Sequence, residues 1–427
     1  MSETVLVQPQ PQQGIRALSA HRSYLIMMAA KIISRFGDSI DSIAYSWMVY
    51  VLTGSEVLMG TLFSLNFIPG IAFSLFTGVL VDRWSKKKIV ILANTGRGIM
   101  VLLTALLYFL GYLQPWHLFI FTFINSSFEC FSTPAEMSLV PRILPKELLL
   151  SGNSLTSSAA RTAELAGLAA AGGLIALIGV SGAMITDALT FLVAALLFFW
   201  VRPKFEEEPS EVSHHVKTEQ KPKKTYWSEF KSGLLFVKGQ KMILLTMLAA
   251  AFVNFCLTPY NVLEPVYVKE ILHAGPFGLS LLGISLVIGM ILSGLWVSQQ
   301  GSKYKKSTLI VFGYLLLGVN YALLYIPSLV TLYPLYTATL FCFGMGLAIS
   351  FVNTPVSTYM MEVTPHDMLG RVGALSSMIS TSAMPLGGLI AGFAGAWFSV
   401  DVLFLVFGIL MIIPGLILLT QKSFMSV

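Results

Sequence analysis

Twelve stretches of this chain are apolar for as long as a helix must be to cross hydrocarbon, about 20 residues. That count limits the fold more than any other feature. The stretches run over approximately 23–51, 58–81, 89–112, 116–140, 153–178, 181–201, 242–268, 277–299, 307–327, 331–361, 371–397 and 399–421. In hydrocarbon the backbone must satisfy its own hydrogen bonds, which leaves helices or a closed barrel, and runs of this length select helices. The balance of residues agrees. Of all residues 55% are hydrophobic and 11% charged, where a soluble domain carries about a quarter charged. The expected fold class is an all-α membrane protein of twelve transmembrane helices, with the lipid bilayer as solvent.

Charge sets the orientation. Of the 27 Lys and Arg residues, 22 fall in the tails or in the connections after spans 2, 4, 6, 8 and 10. Lys269 alone lies in a connection of the other set, and Lys31, Arg35, Arg97 and Arg161 lie within spans. Positive residues gather on the cytoplasmic side, so both termini are expected in the cytoplasm and the protein in the cell (plasma) membrane. The net charge of +6 is too small to point to a nucleic-acid partner. Residues 1–22 lack the apolar core of a signal peptide and read as a cytoplasmic tail, as do 422–427. The longest polar interval, 202–241, has the composition of a disordered cytoplasmic linker. It separates a six-span bundle over 23–201 from another over 242–421. His214 and His215 within it read as solvated residues, not metal ligands. Cys130, Cys256 and Cys342 lie singly inside apolar runs, which favours inert buried thiols over a disulfide framework or a metal site.

The two halves repeat. Thr133-Pro134 returns as Thr354-Pro355, Pro145-x-Glu147 as Pro365-x-Asp367, and Gly172-Gly173-Leu174-Ile175 as Gly387-Gly388-Leu389-Ile390. A duplicated six-span unit follows, and paired halves around a midplane site form an architecture in which one half rocks on the other. The sharpest local signal is GVLVDRWSKKK, Gly78–Lys88, a polar hairpin between spans 2 and 3. Its second-half counterpart keeps Gly294, Lys303, Lys305 and Lys306 but has Ser298 at the acidic position.

This hairpin resembles the loop between the second and third helices of the major facilitator superfamily, and the resemblance extends along nearly the whole chain. TPAEMSLVPRILPKELL at Thr133–Leu149, Asn153-Ser154-Leu155, Thr186-Asp187-Ala188-Leu189, Thr364-Pro365 and Leu369-Gly370-Arg371-Val372 make it most similar to the bacterial efflux branch with macrolide pumps and the enterobactin exporter. In span 5 it departs from the drug-export groups, with Leu168-Ala169 near the place of their Gly-Pro. The resemblance implies the major facilitator fold of two pseudo-symmetric six-helix bundles. It also implies secondary active transport by alternating access: proton-coupled efflux of a hydrophobic or amphiphilic small molecule such as a drug, macrolide or siderophore-like compound. A conformational gate follows from it, with Gly78, Asp82 and Arg83 facing Gly370 and Arg371 at the start of span 11. A carboxylate beside a helix N-terminus gains about 0.3–1 kcal/mol, and this contact would exist only with the cytoplasmic side shut.

A charge at the bilayer centre costs at least about 2.5–3.5 kcal/mol, so each charge inside a span must pair or line a wet cavity. Span 1 holds Lys31, Arg35, Asp38 and Asp41 on one face, at spacings of four, three and three. Lys31, nearest the cytoplasm, is expected to snorkel. Arg35 and Asp38 form an internal pair, and Asp41 is the acid left over. Withdrawal from water favours a neutral carboxyl, which suits proton exchange; a static ladder of ion pairs is the other reading. Spans 4 and 5 add Glu129 and Glu136 and the one-turn pair of Arg161 and Glu164. Glu136 reads as interfacial, whereas Glu129, deeper, suits a cationic substrate or a proton. Arg97 and Asp187 match positions where the efflux branch commonly has such residues, and near their helix ends they read as structural. In span 7, Pro259 and Pro265 free backbone carbonyls and kink the helix, and Glu264 between them is a further candidate for substrate or proton. Asn66, Asn254, Asn261 and Asn353 are cavity candidates; Asn66 and Asn353, with Pro69 and Pro355, instead bend their helices on the other reading.

Rivals on this scaffold are an importer or a lipid transporter; of another class, a non-transporting receptor or a membrane enzyme. The sequence contains no HExxH and no P-loop, so no enzyme, cofactor, metal or direct use of ATP is expected. The expected partners are a small-molecule substrate and protons, with the protein acting as a monomer. Asp82→Asn should leave folding and membrane insertion intact and remove most transport in reconstituted vesicles; full transport by the variant would exclude the gate.

Overall fold

The apolar runs become helices in the computed structural model, which describes residues 15–203, 234–330, 332–365, 368–421 and Phe424. Most of the expected linker, with His214 and His215, and most of both tails lie outside the described residues. After a helical turn at Ile15–Leu18, the helices are α1 (Arg22–Thr53), α2 (Glu56–Leu65), α3 (Ile68–Arg83), α4 (Lys86–Phe109), α5 (Pro115–Leu139), α6 (Leu149–Trp200), α7 (Lys241–Val266), α8 (Pro276–Gln300), α9 (Lys306–Leu323), α10 (Pro334–Val363), α11 (Leu369–Ser382), α12 (Met384–Gly395) and α13 (Val400–Thr420). No strand occurs among the described residues.

Two spans predicted as continuous are broken. The stretch 58–81 parts between α2 and α3, and 371–397 parts between α11 and α12. A proline follows each break, Pro69 in α3 and Pro385 in α12. Each removes the N–H that would bond four residues back, at Leu65 and at Thr381, so the helical ladder is interrupted there. Conversely, 153–178 and 181–201 run together as α6, in which Gly179 stands out of helical conformation at φ 74°, ψ 173°. Only glycine takes such a backbone freely, and one residue therefore turns the hairpin. Pro259 and Pro265 lie inside α7, which passes into a π-helical turn at Tyr267–Ile271.

Nine segments among the described residues are long and apolar enough to cross a membrane. α1 and α5 are long but fall short in apolar character, diluted by the charged and polar residues expected to do chemistry.

Contacts divide the chain into two compact units. The first takes the described residues of Met1–Ser42, Ile68–Gly167 and Ser181–His214. Its core includes Tyr24, Met27, Val90, Leu139, Leu144 and Phe198. The buried Tyr24 hydroxyl lies 2.9 Å from the Gly152 carbonyl and 3.0 Å from Thr156 Oγ1, tying α1 to the start of α6.

The second unit takes the described residues of Ile43–Phe67, Leu168–Val180 and His215–Val427. Here α2 crosses α12 on glycines. A Cβ at Gly60 would stand 2.2 Å from the Gly388 carbonyl oxygen and 2.8 Å from Gly392 Cα. The Ser64 hydroxyl lies 2.6 Å from the Pro385 carbonyl. Buried Ser280 of α8 accepts the Gly172 N–H and lies 3.1 Å from the Leu168 carbonyl. Tyr50, near the end of α1, donates to Glu270 at 3.0 Å, and the Lys269 ammonium sits 4.9 Å from the Tyr50 ring centre. With so little room at the glycine crossing, Gly60→Ala should lower stability by about 1–3 kcal/mol. Gly173→Ala, which meets nothing within 4 Å, should instead stabilise its helix by up to about 1 kcal/mol. Denaturation of the two purified variants in one detergent checks the contrast.

Candidate functional site

The polar face of α1 meets α4, α5 and α6 around a small cavity in the first unit. Its lining includes Lys31, Arg35 and Asp38 of α1, Arg97 of α4, and Glu129 and Glu136 of α5. Three cations and three acids thus share one pocket, which decides how each is paired.

Arg97 is the centre of the arrangement. Its guanidinium donates from Nη2 to Asp38 Oδ1 at 2.8 Å and from Nε to Asn125 Oδ1 at 3.3 Å. Glu129 Oε2 lies 3.9 Å from the same Nη2, and the Phe191 ring centre is 4.2 Å from the guanidinium carbon. A planar group with several donors can hold all of these at once. Arg35 reaches Asp38 as expected, but at 3.6 Å it is the looser partner. Lys31 does not end in an interfacial position alone: its ammonium meets Glu136 at 2.8 Å, and Ser132 donates to the other oxygen of that carboxylate at 3.2 Å. Glu136, read as interfacial, is therefore part of an inter-helix pair.

Arg97 and Asp187 correct the sequence reading. Both were expected near helix ends as structural residues. Arg97 instead lies well inside α4 with 9% of its surface exposed, and Asp187, about two turns past Gly179 in α6, is fully buried. Their signal is present in the sequence, since a charge inside an apolar span needs a partner, and Arg97 stands among Asn94, Gly96 and Gly98, small or polar residues that leave it room. Asp187 packs beside Gly37 of α1, where a Cβ would lie 2.3 Å from Asp187 Oδ1. Asp41 keeps one carboxyl oxygen buried without a hydrogen-bond partner, as does Asp187.

Other expected residues lie apart. Arg161 and Glu164 form a two-pronged pair at 2.7 and 2.8 Å within α6, largely exposed and outside the cavity lining. In the second unit Glu264 accepts the Tyr260 hydroxyl at 3.0 Å, and the Cys342 sulfur lies 3.5 Å from that same hydroxyl. Asn254 donates to the Ser380 carbonyl at 2.9 Å, tying α7 to α11. Asn66 ends α2, where its side chain reaches the Leu62 carbonyl at 3.4 Å, while Asn261 and Asn353 are exposed. The gate residues Gly78, Asp82, Arg83, Gly370 and Arg371 have helical backbone, and their side chains lie outside the described residues.

The sequence matches the model of the Major Facilitator Superfamily over residues 27–388. Macrolide efflux protein A of Streptococcus pyogenes is 24% identical over 390 residues, spanning 91% of this chain and 93% of its own. YfiS of Bacillus subtilis (strain 168), an uncharacterized transporter of the same type, is 27% identical over 412 residues, 94% of each chain. The crystal structure of a bacterial homologue of the iron transporter ferroportin, in an inward-facing state, superposes with a TM-score of 0.71 at 14% identity, covering 94% of this chain and 99% of that one. At that identity the likeness concerns the fold.

Breaking a buried pair strands a charge, which costs about 3–5 kcal/mol. Arg97→Met should destabilise the purified protein by that amount, and adding Asp38→Asn should recover part of the loss. A double variant that merely sums the single effects in chemical denaturation would mean the two side chains are not coupled.

Proposed function

The chain belongs to the major facilitator superfamily, and from that premise we propose that it is a proton-coupled exporter of a hydrophobic or amphiphilic small molecule, working by alternating access. Twelve passes in two halves, 23–201 and 242–421, follow when α6 is counted as two spans and α1 and α5 join the apolar ones. Both termini then face the cytoplasm, in a plasma-membrane protein that acts as a monomer.

The observation that carries this reading is the Asp38–Arg97–Glu129 network between α1, α4 and α5. Charges at such depth are expensive and mark ion or substrate paths. As a carboxylate, Asp38 holds Arg97 in a charge-assisted bond, which is about twice as strong as a neutral one. A change of charge close to Asp38 that weakens this bond leaves the guanidinium to Glu129. A local change of this kind moves the transport cycle by as much as its free energy differs between the inward- and outward-open states. Glu129 has 44% of its side chain exposed, more than the other acids of the network, and so is the group available to a cationic substrate. Export, as opposed to import, is favoured by the kinship with Macrolide efflux protein A. On this reading Gly78, Asp82 and Arg83 meet Gly370 and Arg371 when the cytoplasmic side closes.

Expression in a drug-sensitive bacterium should lower the accumulation of amphiphilic compounds, with erythromycin and ethidium as first probes in a wider panel. A protonophore should abolish the difference, and Asp38→Asn should lose most of it at equal protein level. Accumulation that is unchanged across the panel, or insensitive to the protonophore, overturns the assignment.

A further inference from the structure

Two acids of the first unit are left out of the ion pairs just described. Asp187 is fully buried; its Oδ1 lies 3.1 Å from the Thr190 hydroxyl and its Oδ2 has no hydrogen-bond partner. Even the Thr190 contact is shared, because that hydroxyl also lies 2.7 Å from the Asp187 carbonyl and has one hydrogen to give. Asp41 Oδ1 is likewise sealed from solvent without a partner.

The two carboxyls are neighbours. Gly37 opens the notch in α1 that admits Asp187 and Thr190, since a Cβ there would lie 2.3 Å from Asp187 Oδ1 and 1.9 Å from Thr190 Oγ1. Gly37 and Asp41 are one turn apart on the same face of α1, and Asp41 and Asp187 are close enough to interact electrostatically. The other charged groups facing them are Asp38 from α1 and Arg97 from α4. Arg97 is engaged by Asp38 at 2.8 Å, with Glu129 of α5 at 3.9 Å from the same nitrogen. Neither Asp41 nor Asp187 has an ion-pair partner among the described residues. Four acids therefore share one guanidinium, and Asp41 and Asp187 face an Arg97 already engaged by Asp38.

Resting on the proton-coupled reading, we propose that Asp41 and Asp187 together form the binding site of the coupling proton, distinct from the Asp38–Arg97 pair. Two unpaired carboxylates that face each other, Asp187 fully buried and Asp41 with one oxygen sealed from solvent, are costly twice over, through lost hydration and through mutual repulsion. One bound proton removes one of the two charges and turns an acceptor-only group into a donor, which is what the orphan oxygens lack. Asp38, already answered by Arg97, has less need of it and acts as the neighbour that senses the change. A sodium ion is the other small cation that oxygen ligands of this kind take, and the experiment separates the two.

Infrared spectra of the purified full chain, in vesicles of phosphatidylethanolamine and phosphatidylglycerol, test the site without any transported substrate. At neutral pH in sodium-free buffer a protonated-carboxyl band should be present and should shift when aspartate carries ¹³C in its carboxyl. Asp41→Asn and Asp187→Asn should each move that band, and the double substitution should abolish it while circular dichroism keeps the helical signal. Absence of a label-sensitive band, its survival in the double variant, or its loss on adding sodium chloride overturns the proton site. This result is independent of the accumulation assay: a band that behaves as expected beside protonophore-insensitive accumulation refutes the exporter and leaves a proton bound at the pair.

Discussion

A guanidinium in the interior of an apolar helix bundle has to be answered from every side, and much of the first unit can be understood as the answer to Arg97. α1 supplies Asp38, α5 supplies Asn125 and Glu129, and α6 supplies the face of Phe191. Lysine would not serve, since a single ammonium lacks the flat, forked set of donors that meets three acceptors and a ring together. The requirement also explains why α1 and α5 give up apolar character that the other spans retain. A helix that must offer carboxylates and amides to a neighbour cannot also be a uniform hydrocarbon rod.

The second unit solves the same packing problem by different means. Lipid tails are as apolar as leucine, so helices in a membrane associate through close packing and polar contacts, not through hydrophobic burial. Gly60, Gly388 and Gly392 bring α2 and α12 to backbone contact, and Ser64 and Ser280 place hydroxyls where carbonyls are free or shared. The prolines belong to this arrangement. Pro385 interrupts the helix that would otherwise run through from α11, and its own carbonyl is met by Ser64.

Span positions were legible in the sequence because hydrocarbon fixes the length of an apolar run. Breaks within them were harder, since Asn66 and Pro69 were weighed as a bend or a cavity lining, and Pro385 hides inside a run of small and apolar residues. The charged face of α1 was legible from spacing alone, and so was the Arg161–Glu164 pair, for both depend only on helical geometry. Partners on other helices were not. Whether Lys31 snorkels or meets Glu136 depends on which helix lies beside α1, and no periodicity states that. Arg97 and Asp187 are hard to place for the same reason: their burial is set by neighbouring helices, which fit at the notch of Gly37 and at the small residues around Arg97.

Polar residues inside membrane helices divide by where their bonds go. Arg161 and Glu164 satisfy each other one turn apart on α6, so their bond survives any movement of that helix and cannot report on it. Lys31 with Glu136, and Arg97 with Asp38, Asn125 and Glu129, join one helix to another. Adding or removing a charge in that second group alters the free energy of holding α1 beside α4 and α5, because desolvated charges depend steeply on their partners. Asp41 and Asp187 go one step further: each has a buried carboxyl oxygen without a hydrogen-bond partner, and Asp187 sits in the notch that Gly37 leaves between α1 and α6. Only contacts of this inter-helix kind respond to a change of charge by altering how helices are held together, and Lys31, Glu136, Asp38, Arg97 and Glu129 line one cavity of the first unit.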